Sequence, residues 1–249
     1  MNIDFNKELN IAKKAALEAG NFLRENKIDL NKTISSTIRD IKLQADIEAE
    51  KIIKDIIKKD STHGILSEES GMLSEESTKN LWVVDPLDGT ANYSRNIPLC
   101  CVSIAMLSNT KPVLGVIYDF NSDELFEGSL NTSACLNGQE ISVSKTLKSQ
   151  EGVLITGLPN DTDYSDKAIK EMIKNFQNWR KVRMIGSAAL ASSYIASGKA
   201  DLYMENKSYL WDIAAGAAIV NAAGGEALIL NQNEKYQVDV RFSNSLVKA

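Results

Sequence analysis

"WVVDPLDGTANY", residues 82–93, drives an apolar run straight into two carboxylates, Asp85 and Asp88. Trp82, Val83 and Val84 have the aromatic and β-branched character of a buried strand. Pro86 has no N–H to donate and Gly89 admits a tight backbone, so the strand must stop here. Across the turn, two acids three residues apart can converge on a common point. Carboxylates about 4 Å apart repel by roughly 1 kcal/mol in water, and by about four times that at an effective dielectric near 20. A shared proton, a basic partner or a cation must offset this cost. The nearest basic residue along the chain is Arg95.

The same anomaly recurs elsewhere. Glu68 and Glu69 follow the apolar "GIL" in "GILSEES" at 64–70, and Asp46 lies in "IKLQADIEAE" on an expected second helix. Asp212, in "YLWDIAAGAAIV", opens a helix of small residues, where the helix dipole favours a carboxylate. These acids abut apolar residues, whereas a solvated face would set them among polar ones. Any one of them reads as a cap or turn residue. If the fold gathers them, the natural counter-ion is a hard divalent cation such as Mg²⁺, which prefers carboxylate and carbonyl oxygen. Glu75 and Glu76 lie in a polar stretch and are assigned to solvent.

Working outward, residues 4 to about 26 carry a helical apolar stripe through Leu9, Ala12, Ala16, Ala19 and Leu23. A second helix is expected near 40–59, through Leu43, Ile47, Ile52 and Ile56, with an extended, mobile connection over 27–41. Short β-like runs follow at "GILS" (64), "LWVVD" (81), "CCVSIAML" (100), "PVLGVIYD" (112) and "DELFEGSL" (123), spaced as an antiparallel meander. Beyond Gly157, helices expected at about 165–179, from 187 and at about 209–223 alternate with strands "KVRMI", "ADLYME" and "EALIL". The expectation is an α+β half over 1–150 and an α/β half over 151–249, packed as one unit with the active site between them.

Bulk properties exclude more than they assert. The chain has 249 residues, 43% hydrophobic and 24% charged, ordinary for a globular protein. A net charge of −5 argues against nucleic-acid binding. Three cysteines without a CxxC read as free thiols in a reducing cytoplasm, with the adjacent Cys100 and Cys101 pointing to opposite faces of a strand. The opening "MNIDFNKELN" lacks the pattern of a signal peptide, and no apolar run is long enough to span a bilayer. The single histidine, His63, sits in polar "KDSTHGIL" and reads as a solvated turn residue, which leaves no Ser-His-Asp or Cys-His chemistry. Any metal must be held by oxygen.

"ILSEES", "WVVDPLDGTANY" and "WDIAAGAAIVNAAGG", in this order, resemble the inositol monophosphatase family of Mg²⁺-dependent, lithium-sensitive phosphatases, essentially from the first helix to "RFSNS". The resemblance implies a layered helix/sheet sandwich, a small phosphorylated substrate, two to three Mg²⁺ ions per site, inhibition by Li⁺, and a homodimer. It implies that Glu68, Asp85 and the main-chain carbonyl of Leu87 hold one ion. Asp85, Asp88 and Asp212 would hold a second, and Glu68 would also serve a third. Gly89 and Thr90 would meet the phosphate, Asp46 with Thr90 would orient the attacking water, and Glu205, Ser187 and Ala188 would line the substrate pocket. Glu69 is left ambiguous. The segment "IRDIKLQAD" departs from the family in lacking its valine-threonine step before the helix aspartate.

Within the same chemistry, 3'(2'),5'-bisphosphate nucleotidases follow "DGT" with lysine and glutamate. Here Ala91, Asn92 and Tyr93 stand instead, which favours a monophosphatase acting on inositol 1-phosphate or a related polyol or sugar phosphate. Activity of the fructose-1,6-bisphosphatase kind is a further alternative. A haloacid-dehalogenase mechanism is rejected, because its two aspartates stand two apart near the N-terminus. From another class, a non-catalytic binding protein on this fold is the alternative, against which every candidate ligand is chemically intact.

Overall fold

The computed structural model describes residues 4–36, 41–73, 79–158 and 163–248. Along the chain, helices α1 (Asn6–Glu25) and α2 (Lys27–Leu30) precede, and α3 (Gln44–Asp60) follows, an antiparallel pair of β1 (Thr33–Ser36) and β2 (Ile41–Leu43). There follow β3 (Gly64–Ser67), β4 (Gly71–Met72), β5 (Asn80–Asp88), α4 (Thr90–Ser94), β6 (Cys101–Ser108) and β7 (Lys111–Asp119). Next come β8 (Glu124–Ser129), β9 (Thr132–Leu136), β10 (Gln139–Glu140), β11 (Val153–Thr156), α5 (Asp166–Phe176) and β12 (Lys181–Arg183). The chain closes with α6 (Ala188–Ala196), β13 (Leu202–Tyr209), α7 (Leu210–Ala222), β14 (Glu226–Leu230) and β15 (Gln237–Ser243).

An eight-stranded sheet runs β10-β9-β8-β7-β6-β5-β3-β4, and a five-stranded sheet runs β12-β11-β13-β15-β14. The amphipathic helices α1 and α3 bury Ala12, Ala16, Leu23, Ala49 and Ile53 against Trp82, Val84, Ile104 and Val116 on one face of the larger sheet. Its other face, with Val83, Ala105 and Ile117, meets α6 and α7, which also cover Tyr203, Val240 and Phe242 of the smaller sheet. On the far side, Leu154, Leu202, Trp179 and Val247 form a small cluster against Phe176 of α5. The order helix, sheet, helix, sheet, helix is the expected layered sandwich.

The middle layer explains the composition of "AAGAA". A side chain at Gly115 on β7 would collide with the backbone of Ala215, so strand and helix touch main chain to main chain. Such contact requires small residues on both elements. Cys100 and Cys101 do point to opposite faces, one into each core, and both are buried free thiols.

Three expectations need correction. Residues 27–41 are not simply an extended connection: Lys27–Leu30 is a helical turn, and β1 pairs antiparallel with β2, while 37–40 lie outside the described residues. Accordingly α3 begins at Gln44 rather than near 40, because 41–43 belong to the hairpin. The larger sheet is also not a pure meander, since β3 pairs parallel with β5. The run 80–88 is apolar enough to be flanked on both sides, and β3 completes it there. Strands β9, β11 and β15 were not expected; in β15 the alternation Val238, Val240, Phe242 inward is plain once read.

Candidate active site

Three residues apart on a regular strand, Asp85 and Asp88 would face opposite sides of the sheet. They do not. Asp85 pairs with Ser103 and Asp88 with Cys101, so three steps along β5 match two along β6. The extra residue is a bulge at Pro86 and Leu87, where proline withholds a ladder N–H. It places both acids on the face that meets α6 and α7. Gly89 then turns in the left-handed region at φ 89° and starts α4.

Asp212 and Asp46 arrive by a shared device. Each is the third residue of its helix and accepts a hydrogen bond from the N–H just outside it: Leu43 N to Asp46 at 2.7 Å, and Tyr209 N to Asp212 at 2.9 Å. Neither Leu43 nor Tyr209 caps its helix with its own side chain. The aspartate therefore supplies the half of a capping box that reaches back. Its other oxygen is left to work: Asp46 Oδ1 lies 3.0 Å from the hydroxyl of Thr90, which also reaches the Leu87 carbonyl at 3.0 Å.

Asp88 is met by the start of α6. Ser187 Oγ donates to its Oδ2, and so does Ala189 N at 2.8 Å, while Ala188 N reaches Oδ1 at 3.4 Å. Amides at a helix N-terminus favour a negative charge. Ser187 and Ala188 thus stand at the acid cluster, held on Asp88. Glu68 follows β3 and its N–H donates to the Val84 carbonyl at 3.2 Å, which sets it beside Asp85.

The electrostatics are one-sided. Burial raises the Asp85 carboxyl well above the ordinary range, and Glu68, Asp88 and Asp212 each raise it further. Asp212 is raised by burial, then by Glu68 and Asp88. Asp88 is raised by burial despite its four donors. Among the described residues, the largest influences on Asp85 are burial and the three acids, and no base stands among them. Burial pushes Asp46 up to about 6, against the pull of Leu43, Thr90 and Lys42. Glu205 is pushed up to about 7, again by burial, with the charge of Asp88 adding to it and Tyr203 and Ser208 opposing.

Among the described residues, no three of these side chains are yet turned to a common ion. Asp85, Asp88 and Asp212 each bond a local donor instead: Leu87 N, the α6 amides and Tyr209 N. The donor set still fits a hard divalent cation. It is all oxygen, it is crowded enough to raise its own proton affinities, and it has the Leu87 carbonyl beside it. A cavity of about 660 Å³ lies elsewhere, between α5 and the outer face of the smaller sheet, and Glu205, which feels the charge of Asp88, is among its lining residues.

The sequence profile described as the inositol monophosphatase family matches residues 4–248. The chain belongs to the inositol monophosphatase family. "Nus factor SuhB" of Xylella fastidiosa is 38% identical over 221 residues, 87% of this chain and 80% of that protein. "Inositol-1-monophosphatase" of Mesorhizobium japonicum is 34% identical over 222 residues, 87% of this chain and 83% of that one. The solved inositol monophosphatase of Anabaena (Nostoc) superposes with a TM-score of 0.83 at 32% identity, covering 97% of this chain and 92% of that one. Inositol monophosphatase family members are phosphatases, and this chain is one by membership.

Two positioning residues of this inositol monophosphatase family chain escaped the sequence reading. Glu50 on α3 accepts from Ser70 N at 3.1 Å and Ser70 Oγ at 2.8 Å, pinning the turn that carries Glu68 and Glu69. Lys54, one turn on, bonds the same carboxylate at 2.9 Å. Asn92 donates to the carbonyls of Leu99 at 2.7 Å and Ile185 at 2.8 Å, tying α4 to the segment that leads into Ser187. Nothing in sequence spacing marks Glu50, which sits among other helical acids and lysines. Asn92 lies inside the quoted motif and could have been asked for a partner. Glu75 and Glu76 lie outside the described residues.

Proposed function

We propose that this phosphatase hydrolyses a phosphomonoester of a small polyol or sugar, with inositol 1-phosphate as the reference substrate, and that it depends on Mg²⁺. The observation that carries this is Asp85, buried among Glu68, Asp88 and Asp212 with only further acids raising its carboxyl. Glu68, Asp85, Asp88, Asp212 and the Leu87 carbonyl would hold the cations. When bound, these would neutralise the cluster, acidify water and stabilise charge on the leaving oxygen.

The chain's own groups do the rest. Asp46 accepts from the Thr90 hydroxyl, so that as Thr90 Oγ1 takes a proton from water its own proton would pass to the Asp46 carboxylate. The Gly89 and Thr90 N–H groups, at the start of α4, are offered to the phosphate. Glu205, half-buried beside Tyr203, would accept a substrate hydroxyl; the Tyr203 hydroxyl donates to it at 3.2 Å. Asp88, Asp212, Ser187 and Ala188 would line the same pocket. Inhibition by Li⁺ and assembly as a homodimer belong to the same reading. No described helix is long and apolar enough to cross a membrane.

The test is phosphate release from inositol 1-phosphate, fructose 1,6-bisphosphate and adenosine 3',5'-bisphosphate, titrated with Mg²⁺, for the native chain and Asp88→Asn. Turnover that requires Mg²⁺ and is lost in the variant supports the proposal. The order of the three substrates decides between monophosphatase, sugar bisphosphatase and nucleotidase. The name Nus factor given to the Xylella relative leaves a second reading, a binding role on this fold in place of catalysis on these substrates. Equal, metal-independent rates for both chains would favour it.

A further inference from the structure

Lys42 and Glu69 form an ion pair that joins the β1–β2 hairpin to the turn after β3. Leu43 is fully buried in the first core and Ile41 packs partly against it, so Lys42 between them projects from the other face of β2. The Glu69 side chain is only 8% exposed, whereas that of Lys42 is 33% exposed. A carboxylate so far removed from water needs a partner, and here it is an ammonium group. Glu68 and Glu69 are adjacent, and neighbouring side chains on extended backbone diverge. Glu68 goes to Asp85, and Glu69 goes to Lys42. The charge of Lys42 is also felt at Asp46, four residues on, where it pulls the carboxyl down against burial.

We propose that Lys42 is a resident counter-charge of the acidic cluster, neutralising Glu69 and thereby keeping that carboxylate out of the set that holds divalent cations. The inference rests on the cation-binding reading of the cluster given above. It assigns Glu69 a role distinct from that of Glu68 and gives the segment "IRDIKLQAD" a function at the point where it departs from the family pattern. In energetic terms the pair removes one negative charge from the rim, which lowers divalent affinity and makes the approach of a phosphate less unfavourable.

The experiment is calorimetric titration of Mg²⁺ into the full-length protein, without substrate, for the native chain, Lys42→Met, Lys42→Arg, Glu69→Gln and the Lys42→Met/Glu69→Gln pair. Lys42→Met unmasks a carboxylate and binds Mg²⁺ about fivefold tighter, and Glu69→Gln leaves an unpaired ammonium and binds about fivefold weaker. The double variant returns to within about twofold of the native chain, and Lys42→Arg stays close to it. Shifts of the same sign in both single variants, or none in either, overturn the assignment and leave the pair as a structural tie. Should Lys42→Met not fold, Glu69→Gln decides alone: weaker binding supports the assignment and unchanged binding overturns it. A native chain that does not bind Mg²⁺ overturns the cation reading and this inference together, whereas binding that no variant shifts overturns this inference only.

Discussion

Asp85 separates what the acid cluster does for chemistry from what it does to stability. Its carboxyl is destabilised by burial and by three neighbouring acids. Asp85→Asn keeps an oxygen for the Leu87 N–H, bonded at 2.9 Å, while removing one of the repelling charges. In EDTA the variant is therefore expected to melt higher than the native chain, by ~1–2 kcal/mol in stability. Phosphate release in saturating Mg²⁺ falls on the order of 10³-fold, the scale of losing a central charged group of an active site. Glu205 gives a pH-dependent counterpart. Its pKa rises from 4.5 to about 7 on folding, so between those values the folded chain holds a proton that the unfolded chain has released. Its stability contribution is intact below pH 4.5 and is lost as pH climbs through about 7, a penalty of up to ~3 kcal/mol above that. Glu205→Gln in metal-free buffer should match the native melting temperature near pH 4 and exceed it at pH 8; equal melting at both pH values would remove the argument.

Among the elements, the turn from β5 into α4 carries most of the proposed site in the fewest residues. The bulge turns Asp85 and Asp88 to one face, and Gly89 then takes a φ of 89° with space so tight that a Cβ would lie 2.7 Å from the Leu99 carbonyl. Gly89→Ala meets both penalties: roughly 1–2 kcal/mol for the left-handed backbone, and a displacement of main chain that carries Thr90 away from Asp46. We expect a drop in kcat of about 10²-fold, from a misplacement near 1 Å, with a lowered melting temperature; retained kcat would show that the turn tolerates relaxation. The acids themselves were legible in the sequence because charge directly after an apolar run is costly unless something compensates it. The bulge was not legible, since it exists only as a mismatch of register with β6. The hairpin over 33–43 was missed for a related reason: β1 is exposed along its whole length, so no burial pattern marks it as a strand. The parallel pairing of β3 on β5 is a choice of topology that local periodicity does not encode.

At the level of the whole molecule, the cluster stands where separate layers meet. Asp46 comes from the outer helical layer, Glu68, Asp85 and Asp88 from the larger sheet, and Asp212 from the middle helices. Glu205 comes from the smaller sheet beyond them. Their repulsion therefore opposes the docking of layers on one another rather than straining a single element. A cation held by Glu68, Asp85 and Asp88 of the larger sheet together with Asp212 of the middle helices would act against that opposition where these two layers meet. Binding at one hundred times Kd contributes about 2.7 kcal/mol of stability per site to the folded state. Adding Mg²⁺ to chelator-treated protein should raise its melting temperature in a saturable way. The rise should be nearly abolished in Asp212→Asn, although Asp212 lies more than a hundred residues from Asp85 in the chain. Hydrogen exchange supplies the spatial test: Mg²⁺ should slow it at the start of α7 as well as along β5. Protection confined to the turn at 85–90 would mean that the cation is held by that turn alone and that the layers do not share it.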